Sequence, residues 1–404
     1  MDRRETRVVD SQRQAKSSLG IAVAFMAAAA VTAVADLSIG VWLPLHLFLV
    51  GGLLSAISGA TQLLAVTWSA APAPPDRWAA VQRWSLACGA VLLAIGRESD
   101  LRAAVDLGAL LVAIAMVVLG VDLLWIRARG TNERFRPAID GYLMAVVWSL
   151  VAIGLGAMLA LVDPGEWWPR VRAAHLTIAL FGLVGTVIAA TLPYFVATQA
   201  RLKMSPRATP GAMRALSTAL SVSVAVAVIG LLVDRSALAA LGYGLYAVCL
   251  LAGIALLPHI GRKQLDWAGP RLIQLAAGGA WWVAMTVVLC VDMAGTHRWG
   301  LGTAGEGSQP EGVIRALVLG GYAQILVGSL AYFGPVLRAG GHKQLSAGFA
   351  LTRSVPSLIA GNVAAIAALL GNDVVTVVAA VVWTADLVIR AVVLVRGSRA
   401  PAAP

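Results

Sequence analysis

Apolar runs of roughly 18–25 residues recur from one end of this chain to the other, which is the length a helix needs to cross a hydrocarbon core. Short polar stretches separate them. Inside a bilayer no water is present to satisfy backbone N–H and C=O groups, so each run must close its own hydrogen bonds as a helix. Composition agrees. Of the 404 residues, 59% are hydrophobic and only 13% are charged, too little charge to cover the surface of a soluble protein. The predicted fold class is all-α: a polytopic transmembrane helical bundle of about twelve spans.

The spans read as 18–35, 42–66, 79–96, 103–126, 141–162, 173–197, 215–233, 237–257, 272–292, 313–337, 356–371 and 373–395. They form one membrane domain, 18–395, between a basic N-terminal segment 1–17 and a short tail 396–404. The first span starts basic and ends AVA before Asp36, as a cleavable signal would, but a repeat in the sequence needs this helix, so it is read as uncleaved. The longest connection, 293–312, is a Gly-rich loop. That leaves no room for a separate catalytic module, so any chemistry lies within the membrane or at its surface.

Charge gives the orientation. Twenty-two Lys and Arg fall in segments on the N-terminal side, against six on the other (Arg97, Arg102, Arg170, Arg172, Arg235 and Arg298). Positive residues stay cytoplasmic, so both termini are expected in the cytoplasm of a bacterial-type plasma (inner) membrane. The net charge of +11 is dispersed over these loops, which excludes a nucleic-acid footprint; the bilayer itself is the expected partner. Cys88, Cys249 and Cys290 stand apart in apolar runs and read as small buried hydrophobes. No HExxH motif, nucleophile elbow or phosphate loop occurs.

Three segments resemble one another. Residues 46–66 read HLFLVGGLLSAISGATQLLAV, residues 175–195 read HLTIALFGLVGTVIAATLPYF, and residues 315–335 read RALVLGGYAQILVGSLAYFGP. Aligning Gly52, Gly182 and Gly321 also aligns the small residues Gly59, Ala189 and Gly328, and brings His46, His175 and Arg315 to the same end. These are the second, sixth and tenth spans, so the repeat unit is four helices, about 18–126, 141–257 and 272–395. Small residues at helical spacing let membrane helices approach closely.

Twelve spans in three four-helix units, with histidines near the outer ends of the second and sixth, resemble the catalytic subunit of haem-copper oxidases. They are also similar to NnrS-type membrane proteins of nitric-oxide stress. The resemblance implies that His46 is a haem ligand and His175 a metal ligand, with haem or copper as cofactor. It also implies a role in nitric-oxide or respiratory stress beside a respiratory or denitrification membrane protein. The departures are large. The family carries adjacent histidines in the seventh helix and a histidine pair in the tenth; here 215–233 has none, and the tenth span has Arg315 and Gln324. Only five histidines exist in the chain, and His259, His297 and His342 lie in loops. A complete oxidase centre is therefore rejected.

Ionisable residues inside spans are costly and are functional candidates by default. Arg315 is suited to a propionate, a substrate anion or a carboxylate, and a contact with Asp292 is expected. Asp106 beside Arg102, and Asp386 four residues before Arg390, read first as local ion pairs. Asp122 and Asp386 are also proton-path candidates. Two other classes stay open: a proton-coupled secondary transporter, and an accessory or assembly subunit without a ligand. Enzymatic activity is not expected of either.

Overall fold

A computed structural model of the chain describes residues 3–35, 41–162, 165–296, 310–338 and 342–397. Among these residues there is no strand, and twelve helices are long and apolar enough to cross a membrane. They are Val9–Val34, Trp42–Ser69, Asp76–Glu98, Arg102–Arg129, Glu133–Leu161, Gly165–Ala200, Pro210–Leu232, Ser236–Ile254, Pro270–Gly295, Glu311–Leu337, Lys343–Leu369 and Asp373–Arg396. The protein is an all-α multi-pass membrane bundle, as the apolar runs predict.

Several boundaries differ from the sequence reading, each for a local reason. The basic N-terminal segment is already helical from Arg3, continuous with the first span to Val34. The eleventh span is broken. A helix His342–Leu351 precedes a second one, Val355–Leu369, and the Ser354 hydroxyl accepts from the Ser357 N–H to cap the second start, with Pro356 in its first turn. The ninth span is likewise preceded by a short helix, Arg262–Ala268, which ends at Gly269 with φ +62°. Glycine tolerates that left-handed geometry without a Cβ clash, and Pro270 then opens the span. The tail beyond Gly397 and most of the 293–312 loop, His297 included, lie outside the described residues.

The threefold repeat is built into the backbone. The second, sixth and tenth spans each contain a π-helical segment, at Leu47–Leu53, Ile178–Gly185 and Leu317–Ala323. Each segment includes the glycine that aligns the three copies. A side chain from the preceding span lies against each: Phe25 on Gly51, Trp148 on Gly182 and Trp281 on Gly320. The next helix pair in each unit (third with fourth, seventh with eighth, eleventh with twelfth) packs as a close hairpin. Glycines allow this approach: a Cβ at Gly108 would lie 2.7 Å from the Leu93 backbone nitrogen, and one at Gly242 would lie 2.3 Å from that of Ala227.

The three bulged spans are the centre of the bundle. They are 72%, 78% and 78% buried, against 17–50% for the other nine. The outer helices turn apolar stripes to the lipid, such as Leu107, Leu110, Ile114, Val117, Val121 and Leu124 on the fourth span, the spacing of one helix face. Where the central helices meet, on the C-terminal side of the bulges, an apolar cavity of about 80 Å³ opens. Equivalent positions of the three copies line it, Ile57 with Val187 and Leu326, and Thr61 with Thr191 and Leu330.

A π-turn leaves carbonyls without their usual i+4 donor. In the sixth span two of these are taken by buried tyrosines, one from the same unit and one from the next. Tyr322 donates to Leu180 O at 2.9 Å, and Tyr246 donates to Phe181 O at 3.1 Å. The bulge is thus satisfied by tertiary contacts, which is what buried backbone requires.

Candidate functional site

His46 closes the first turn of the second span. Its Nδ1 lies 2.8 Å from Trp42 O, and its ring stacks on the Trp42 indole with centroids 4.2 Å apart. A carbonyl oxygen only accepts, so in the neutral ring Nδ1 carries the proton and donates it. Nε2 keeps its lone pair.

His175, at the same end of the sixth span, repeats the arrangement with a different carbonyl. Its Nδ1 lies 2.9 Å from Ala152 O on the fifth span. Gly156, one turn further along that helix, makes the room: a Cβ there would lie 3.0 Å from the His175 Cε1. Both rings are half-buried. The structure places the two histidines that the sequence singles out at the same end of two central helices, each held by its Nδ1 and with Nε2 left as an acceptor.

Arg315, the third copy's counterpart, is engaged elsewhere. It donates to Glu311 at 3.1 Å and forms an ion pair with Asp373; Glu311 in turn lies 4.0 Å from Arg172. This strap joins the ends of the sixth, tenth and twelfth spans. The carboxylates seen on Arg315 are Glu311 and Asp373. Asp292 is fully buried.

The other acids separate. Asp106 is exposed and makes no ion pair with Arg102 among the described residues, so the local pairing expected there is absent: the two residues sit at an exposed helix start, where water competes for both charges. Asp122 is wholly buried, and neither of its carboxylate oxygens has a hydrogen-bond partner. Asp386 does pair with Arg390, at 2.8 Å. Arg390 also donates to Leu351 O at 2.7 Å and Arg353 O at 2.9 Å. The pair thus tethers the twelfth span to the break in the eleventh, a structural job that fixes both side chains.

Among the described residues no group of three or more His, Cys, Asp or Glu comes together as a metal site. Each of the two histidines, taken singly, has the hydrogen-bonding arrangement of a metal ligand. Metal-binding histidines commonly donate their second ring N–H to a backbone carbonyl, which fixes the tautomer and orients the ring.

Sequence reasoning missed the burial of Arg271, whereas it did single out Gln324 in the tenth span. Arg271 reads as a loop charge just ahead of the ninth span, yet the structure buries it to 2% exposure with no partner for any guanidinium nitrogen. Gly269-Pro270 immediately before it is the only trace, since it folds the chain inward at that point. Gln324, in the tenth span, is also fully buried with both amide atoms unpartnered.

Fold and site together define a class: a multi-pass helical membrane protein with a threefold internal repeat and a carbonyl-bound histidine at the same end of two of its central helices. Beyond that class the comparisons stop, because no protein-family model and no curated protein matches the chain.

Proposed function

We propose that this integral membrane protein holds copper(I) between His46 and His175, as a reduced relative of the haem-copper oxidase and NnrS architecture. The observation that carries the reading is the matched pair of imidazoles, each donating Nδ1–H to a carbonyl and each presenting Nε2. Imidazole suits copper, and the reduced ion accepts two nitrogen ligands. Copper bound there would supply one-electron chemistry and affinity for diatomic gases such as nitric oxide. The chain's own residues orient the rings: Trp42 holds one by stacking and by its carbonyl, and Ala152 holds the other.

The charge distribution supports an inner-membrane protein with both termini cytoplasmic. In that orientation the histidine pair faces the outer side, where it would serve a respiratory or denitrification membrane protein under nitric-oxide or metal stress. An axial pair on haem is the second reading, favoured by the same Nε2 geometry.

The test is metal analysis and an absorption spectrum of protein extracted from copper- and haem-replete cells, repeated after anaerobic copper(I) loading. One copper per chain, lost in both His46→Ala and His175→Ala, is the expected result. A Soret band that vanishes in the same variants moves the assignment to haem. A colourless protein that takes up no copper rejects both.

A further inference from the structure

At the opposite end of the bundle, three arginines converge, none of them paired to a carboxylate among the described residues. Arg201 ends the sixth span in the left-handed region with φ +54°. Arg271 stands in the first turn of the ninth span. Arg353 lies in the break of the eleventh. Trp267 gathers all three: Arg201 and Arg271 lie over its ring, Arg271 at 5.7 Å from the centre, and Arg353 donates to its carbonyl oxygen.

Aromatic rings hold the guanidinium groups in place. Arg201 lies 3.5 Å above the Trp267 ring, and Arg271 lies 4.5 Å from the Phe349 ring centre. Arg353 is fixed by donating to Trp267 O at 2.7 Å and Asp266 O at 3.1 Å. None of the three arginines takes part in an ion pair among the described residues.

Arg271 is the unexplained member. Its side chain is 2% exposed, and Nε, Nη1 and Nη2 all lack an acceptor. A ring face attracts the charge of a guanidinium but offers its in-plane N–H groups nothing to bond. The buried Trp267 Nε1 beside it is unpartnered too. A buried, unpaired cation next to two more cations is unfavourable unless an anion completes the set. The start of the long ninth-span helix adds the positive end of its dipole. Arginine forks match phosphate oxygens two at a time, and basic pockets between spans on this side of a membrane suit phosphate headgroups.

We propose that Arg201, Arg271 and Arg353 form a binding site for a phosphate-bearing anion, with Arg271 as its buried base and the two exposed arginines at its mouth. The site lies at the other end of the protein from the histidine pair and does not depend on it.

The experiment uses the full chain. It is reconstituted in nanodiscs of phosphatidylcholine, with or without phosphatidylglycerol, and separately titrated in detergent with inorganic phosphate. Thermal unfolding is the readout, with native mass spectrometry for retained phospholipid. The expected result is a saturable rise in Tm, with apparent affinity weakened roughly tenfold or more in Arg271→Gln by loss of the forked contact. Arg201→Gln, at an exposed helix end, is weakened less and carries the test if Arg271→Gln does not fold. A rise with phosphatidylglycerol but not with phosphate assigns a lipid headgroup; a rise with phosphate alone assigns a free anion. No saturable rise with either, or an equal rise in wild type and both variants, overturns the proposal and leaves the aromatic rings as the whole environment of Arg271.

Discussion

At one end of the central helices two imidazoles donate their Nδ1 protons to carbonyls and keep a lone pair each; at the other, Arg271 holds its N–H donors with no acceptor. The first end offers lone pairs and the second offers unpartnered N–H donors. The ends also differ in how their charges are settled. Arg315, near the histidines, is paired to Glu311 and Asp373, while none of the three arginines at the other end is paired to a carboxylate among the described residues. A charged group that has its counter-ion within the fold is structural. A group that lacks one, in a bundle where most polar groups are satisfied, marks where a ligand belongs.

The strongest way to break this contrast is to remove the imidazoles. The double variant His46→Ala/His175→Ala should lose all bound copper by metal analysis and keep its phosphate response; retained copper would mean that the cation sits elsewhere. Next is the helix that joins the ends. A Cβ at Gly185 would lie 2.1 Å from the Tyr246 hydroxyl and 3.0 Å from Trp282. Gly185→Ala should therefore cost about 1–3 kcal/mol of stability by overpacking and weaken ligand binding at both ends. If only one end responds, the central helices do not hold the two in register.

A smaller effect is expected at the arginine end. Arg271→Gln should weaken the anion response roughly tenfold, about 1.4 kcal/mol, with copper content unchanged in the same preparation. The smallest belongs to Arg315. Its pair with Glu311 is partly exposed, with side chains at 21% and 43%, so Arg315→Gln should lower stability by about 0–1 kcal/mol and leave copper untouched. Copper loss in that variant would bring the third copy into the histidine site and sharpen the site from two residues to three.

Much of the fold was legible because the bilayer imposes it. Helix count follows from run length, and the lipid-facing stripe of the fourth span follows from its spacing. The repeat showed as three aligned glycines, although the π-turns they occupy have no pattern of their own in the residues. A large side chain of the preceding span lies against a glycine in each turn, and in the sixth span Tyr322 and Tyr246 donate to the released carbonyls. The histidines were legible as polar residues at equal depth. Their partners were not: Trp42 O is four residues from His46, but Ala152 O is on another helix.

The sequence by itself determined that this chain crosses a membrane twelve times, in three related units, with two histidines at one end of the related helices. Hydrophobic length and spacing are local properties, so they can be read without a fold. Tertiary structure decided which charges are satisfied. Arg315 and Arg271 look alike in sequence, each a lone arginine at the edge of an apolar run. Packing gave one two carboxylates and gave the other only aromatic rings and two more cations, because a counter-ion is set by which helix ends meet.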